Sequence, residues 1–151
     1  MKKNLLVATF LIALVAAGGR TLFAAGSWLE RAAGAPLQIV AVCQSRASHW
    51  EGGSIYSDAE VSVQRVVHGA PDLTVMVRQR GGEVDGIGQK VSHSILLEPG
   101  KSYLLFLNPT DGGLWSPTPA GVNPITVTSN LVETIAGEPL EQVLASLGSG
   151  A

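Results

Sequence analysis

The stretch DLTVMVRQRGGEVDGIGQKVSHSILLEPGKSYLLFL, residues 72–107, decides the fold. Leu73, Val75 and Val77 alternate with Thr74, Met76 and Arg78, the period of two that turns one set of side chains to a core and the other outward. Residues 73–77 are therefore predicted as a strand. Tyr103, Leu104, Leu105, Phe106 and Leu107 follow Pro99-Gly100 as an unbroken apolar run. Its length and aromatic content fit a strand buried on both faces, at the centre of the core. Between the two strands, Gly81, Gly82, Gly86 and Gly88 allow positive φ or close backbone approach, which reads as a crossover of fixed shape.

Upstream, LQIVAVC begins a first strand expected over residues 37–45. It is followed by a polar loop, ASHWEGG, whose Gly52-Gly53 pair reverses the chain into a hairpin. The second strand is expected over residues 55–67, with Ile55, Ser57, Ala59, Val61 and Val63 on one face. Val66 falls on the other face, and a bulge or tight coil near Arg65 would restore the phase. The turn His68-Gly69-Ala70-Pro71-Asp72 then completes a three-strand meander.

Downstream, the turn after Asn108 leads into a short strand at Leu114-Trp115. Pro117, Pro119 and Pro124 deny this strand a central place, so residues 125–128 are expected to close a barrel as its fifth strand. Leu140, Val143, Leu144 and Leu147 recur at i, i+3, i+4 and i+7, predicting a C-terminal amphipathic helix that ends near Gly148.

Lys2 and Lys3 precede an apolar segment over residues 5–15, the pattern of a secretory signal peptide over residues 1–17. Cleavage before Gly18 is expected, with Ala24 or Ala25 as further candidate sites. The apolar run is shorter than the roughly 18 to 20 residues that span a bilayer, so no stable membrane span is expected after processing. Residues 18–36, rich in Gly, Ala and Arg, read as a linker with a short helix over 27–33. Residues 37–128 then form the β-domain, and 129–151 the helix and tail. Roughly 125 to 130 residues remain after export, about one domain. The expected location is periplasmic or extracellular. Cys43 is the only cysteine of the 151 residues, so no internal disulfide forms, and it is expected to pack in the core.

The order of these elements carries a resemblance. It comprises a strand, a Trp-Glu-Gly-Gly hairpin, a long strand ending Val-Val-His-Gly, a Thr-Val-Met-Val strand, Gly-Gly-Glu-Val-Asp-Gly-Ile-Gly-Gln-Lys-Val, and Pro-Gly-Lys-Ser-Tyr-Leu-Leu-Phe-Leu. Over residues 37–128 it resembles a bacterial secreted domain related in fold to the netrin-like module and the tissue inhibitors of metalloproteinases. The resemblance implies a mainly β fold, a small five-stranded OB-like barrel carrying the C-terminal helix. In those inhibitors a cysteine at the mature N-terminus reaches the protease zinc. Here no cysteine precedes Cys43, so the resemblance implies the fold and not that mechanism.

A net charge of -2 offers no footprint for a polyanion, and nucleic acid is not an expected partner. Gly86-Ile87-Gly88 lacks the following helix of a dinucleotide loop. His49, His68 and His93 are scattered without metal-ligand spacing, and neither a cofactor nor a metal is expected. Ser92 and Ser94 lie in no nucleophile motif. These readings lead to a non-enzymatic binding or interaction module with a protein partner. An envelope oligosaccharide-binding barrel is the alternative, and a hydrolase built on Glu83 or Asp85 a second. The candidate partner-binding residues are the aromatics Trp50, Tyr56 and Trp115 together with Gly82, Glu83 and Asp85 of the glycine loop.

Overall fold

Strands β1 (Leu37–Glu51), β2 (Ser54–His68) and β3 (Thr74–Arg80) pair antiparallel in sequence order, as their alternating side chains require. The computed structural model describes residues 27–90 and 95–148. The expected signal peptide, residues 18–26 of the expected linker, and Ser92, His93 and Ser94 lie outside them. The strand β6 (Ser102–Pro109) pairs with β1, and β7 (Trp115–Pro124) pairs with β6. A single parallel pair, Val77 with Trp115, joins β7 to β3 and closes the barrel in the order β1-β2-β3-β7-β6.

The unbroken apolar run in β6 is explained by two cores. Tyr103, Leu105 and Leu107 point into the barrel, against Leu37, Ile39, Ala41 and Cys43 of β1 and Val61, Val75 and Val77 of β2 and β3. Leu104 and Phe106 point the other way, where they and Val40 are covered by two helices. One is α1 (residues 27–32), which buries Trp28 and Ala32. The other is α2 (Leu140–Gly148), whose buried face is Leu140, Val143, Leu144 and Leu147, the set marked by its spacing. Trp28 Nε1 donates to Glu138 Oε2 at 2.7 Å, fastening α1 to the chain just before α2. The described part of the expected linker is therefore a structural element: its tryptophan forms part of the second core.

Three other expectations change. The polar residues 45–51 are strand, pairing residue by residue with 54–60 to form an arm beyond the barrel. Their ladder partners compensate for the missing apolar pattern. The third strand starts at Thr74 rather than Leu73, and Leu73 is 85% exposed. Gln79 instead occupies the inward position two residues beyond Val77, so the alternation holds but shifts downstream. The fifth barrel strand is β7 itself; Thr126–Val127 (β8) belongs to a separate small sheet with β9 (Glu133–Ile135) and β10 (Glu138–Pro139). Beyond Trp115, one edge of β7 pairs with no other strand among the described residues, and there a proline's missing N–H removes no ladder bond. The irregularity expected near Arg65 is present, with register shifts on both sides of the Val40–Arg65 pair.

Candidate functional site

Leu97 plugs one end of the barrel core with no exposed surface. The plug belongs to residues 95–98, which are neither helix nor strand, so their backbone groups need side-chain partners. Gln79 Nε2 donates to Ile95 O at 2.6 Å, and Gln79 Oε1 accepts from Leu97 N at 2.9 Å. Arg46 Nη1 donates to Leu97 O at 2.9 Å, and Tyr103 Oη accepts from Glu98 N at 2.9 Å. Burial pushes the Tyr103 hydroxyl above its ordinary pKa, which keeps it protonated.

Before this segment the glycine stretch folds into a hairpin of β4 (Gly82–Val84) and β5 (Ile87–Gln89). Asp85 and Gly86 form its two-residue turn with φ of 51° and 79°, the conformation that Asp-Gly favours. The hairpin is seated against the arm by serines. Ser48 Oγ and Ser57 Oγ lie 2.7 Å apart, and Ser57 Oγ donates to Gly81 O at 2.8 Å. Gly82 has φ of 129°, and a Cβ there would stand 2.4 Å from both hydroxyls, so only glycine fits. Gln89 Oε1 accepts from Ile55 N at 2.7 Å and fixes the far strand.

Between arm, hairpin and plug segment lies an open cleft of about 620 Å³. Arg46, Arg80 and Lys90 line it, with Glu83 and Glu98 as the carboxylates. A hydrogen bond from Lys101 lowers the Glu98 pKa, and the two form an ion pair. Among the described residues Arg46, Arg80 and Lys90 form no ion pair, so cations dominate the cleft. Arg80 Nη2 donates to Ser54 Oγ at 3.2 Å. Gly81, Gly82 and Gly88 supply bare backbone to the walls.

The outer face of β1-β2-β3 carries a second polar cluster, in which Arg78 bridges two carboxylates. Arg78 donates from Nε and Nη2 to the Asp58 carboxylate at 2.8 and 3.0 Å, and from Nη1 to Glu51 at 2.8 Å. The Arg78 hydrogen bonds hold Asp58 below the usual carboxylate range, and the same bonds raise Arg78. His49 Nε2 lies 3.3 Å from Glu51 and Nδ1 3.8 Å from Asp58.

The sequence-predicted residues are thus divided. Gly82 and Glu83 lie in the cleft. Asp85 is exposed at the hairpin turn, and Trp50 is 44% exposed near the tip of the arm. Tyr56 belongs to the outer face, under the Arg78 guanidinium at 5.6 Å. Trp115 is half-buried against the barrel core. Sequence reasoning missed Arg46, Arg80, Lys90 and Gln79. The signal for Arg80 and Lys90 was Asp-Gly between Val84 and Ile87: a two-residue turn there folds the flanking cations toward each other. Among the described residues no three His, Cys, Asp or Glu side chains are grouped to hold a metal ion, and no helix is long and apolar enough to cross a membrane. Compared with known proteins, the chain matches no family model, no curated protein and no solved structure.

Proposed function

We propose that the chain is an exported, non-enzymatic binding module of OB type that engages a protein partner through the cleft between arm, hairpin and plug segment. The observation that carries this reading is the cleft's construction. Its floor is pinned by Gln79, Arg46 and Tyr103, and Arg46 with the wall cations Arg80 and Lys90 forms no ion pair among the described residues. A rigid frame with unspent charge favours recognition, because little ordering is left to be done on binding. Arg is enriched among the residues that dominate protein interfaces. The five barrel strands, closed by one bridge, support the OB type, a partly open Greek-key barrel whose surfaces bind oligomers. Export rests on the basic and apolar N-terminal segments.

The test is chemical crosslinking of the purified protein in the native envelope and secreted fraction, with recovered partners identified by mass spectrometry. One defined partner, lost when residues 81–90 are replaced by a scrambled loop, supports the reading. Equal recovery with the scrambled loop, or none with either form, overturns it.

A further inference from the structure

We infer that the cleft takes an extended, carboxylate-rich segment of a protein, laid along the free edge of β5. The inference rests on the protein-binding reading and names the chemistry of the partner. Arg46, Arg80 and Lys90 come from three separate places: the arm, the end of β3 and the residue after β5. The hairpin register, with Gly82 opposite Gln89, brings Arg80 and Lys90 to the same end of the β4–β5 ribbon. Glu83 is the one lining carboxylate without a cationic partner among the described residues, because Glu98 is paired with Lys101. Such a cleft attracts negative charge and repels positive charge.

The walls select an extended chain over a compact anion. On one side β5 pairs with β4; on the other it pairs with no strand among the described residues. Val84 and Ile87 close the two-residue turn, so they and the Gly82–Gln89 pair exchange the hairpin hydrogen bonds. The N–H and C=O of Gly88 are therefore directed to the open edge. Gly88 lines the cleft, and a Cβ there would meet only Gly82 O, at 4.0 Å. Another backbone can approach at this point and add by strand pairing, with alternate side chains reaching the cations. A polyuronate carries the same charge but has no amide ladder to offer Gly88.

The experiment is fluorescence anisotropy of the purified protein with a labelled alternating Glu-Val peptide of about eight residues, against its Gln-Val counterpart. The Glu-Val peptide is expected to bind at low ionic strength and to weaken as salt rises. Arg80→Gln combined with Lys90→Gln is expected to lower affinity about tenfold or more with an unchanged unfolding midpoint. Arg46 is left intact because it holds the plug segment. Equal binding of the Gln-Val peptide, or equal binding by the charge variant, overturns the inference. So does a polyuronate that binds more tightly than the peptide. If crosslinking recovers the same partner with wild type and charge variant, protein binding stands and this assignment of the cleft falls.

Discussion

Gln79 holds Leu97 as a strand neighbour would, accepting its amide hydrogen through Oε1 at 2.9 Å while Nε2 donates to Ile95 O at 2.6 Å. One side-chain amide thus replaces a rung of ladder where the chain returns from the hairpin and plugs the barrel. Both bonds are formed at a site where Gln79 is 7% exposed and Leu97 fully buried.

Gln79→Leu preserves bulk but leaves the Leu97 N–H and the Ile95 carbonyl without these partners. An unsatisfied buried polar group costs about 1–3 kcal/mol, so a loss of about 2–4 kcal/mol is expected in urea unfolding. Gln79→Glu retains the acceptor but turns a carboxylate oxygen toward the Ile95 carbonyl in a buried site, and is expected to lose at least as much stability as Gln79→Leu near neutral pH. A Gln79→Leu stability equal to wild type would remove the amide from this role.

Gly82→Ala places a methyl group 2.4 Å from two serine hydroxyls at a φ of 129°, and both problems act together. The expected loss is about 2 kcal/mol or more, since strained backbone alone costs about 1–3 kcal/mol. Gly88→Ala is the control: the added Cβ finds open space, and urea midpoints should separate the two variants clearly.

These residues mark where sequence patterning is informative and where it is silent. Alternation in β2, the double-sided apolar run of β6 and the 3.6-residue spacing of α2 each report burial directly, and all three elements form as those patterns require. The arm at 45–51 has no such pattern, because pairing with 54–60 alone makes it strand. The prolines of β7 weigh against a central strand, but an edge beyond Trp115 tolerates them. Trp28 lies in a Gly- and Ala-rich context, and its place in a core depends on long-range contacts with α2 and Glu138. The cleft is the least legible part, since Arg46 reaches it from a strand far away in sequence. Gly82 and Glu83 are legible as candidates only because a glycine run beside carboxylates reads as a shaped loop.

Acid sensitivity follows from Asp58, whose pKa lies below its ordinary value chiefly because of the Arg78 hydrogen bonds. A carboxyl with a depressed folded-state pKa contributes stability above its unfolded pKa, near 3.9, and loses it as pH falls through the lower folded value. Asp58→Asn is therefore expected to cost about 1–2 kcal/mol at neutral pH and to flatten the acid limb of stability below about pH 4. Unfolding midpoints measured from pH 2 to pH 7 check this, and parallel wild-type and variant curves across the range would contradict it.

Cys43 sits inside the barrel at 1% exposure, where burial raises the thiol pKa and suppresses the reactive thiolate. Its Sγ lies 3.5 Å from Ser45 O, a weak donor contact that adds no nucleophilic character. Alkylation of the folded protein at neutral pH is expected only through opening of the barrel, so the rate should track the unfolding equilibrium and rise with urea. Gln79→Leu loosens the plug and is expected to accelerate labelling about tenfold for each 1.4 kcal/mol of stability lost. Trp28→Ala removes a 3%-exposed anchor from the second core, which lies across β1 and β6 from the thiol. A loss of about 3–5 kcal/mol is expected for that variant. If the barrel opens as one unit with the helical layer, labelling accelerates by the factor corresponding to the whole loss. If the layer detaches first, Trp28→Ala lowers the unfolding midpoint without matching acceleration at Cys43. Native-state alkylation of the two variants, followed by mass spectrometry, decides between these outcomes; fast labelling of wild type without denaturant would place Cys43 outside a closed core.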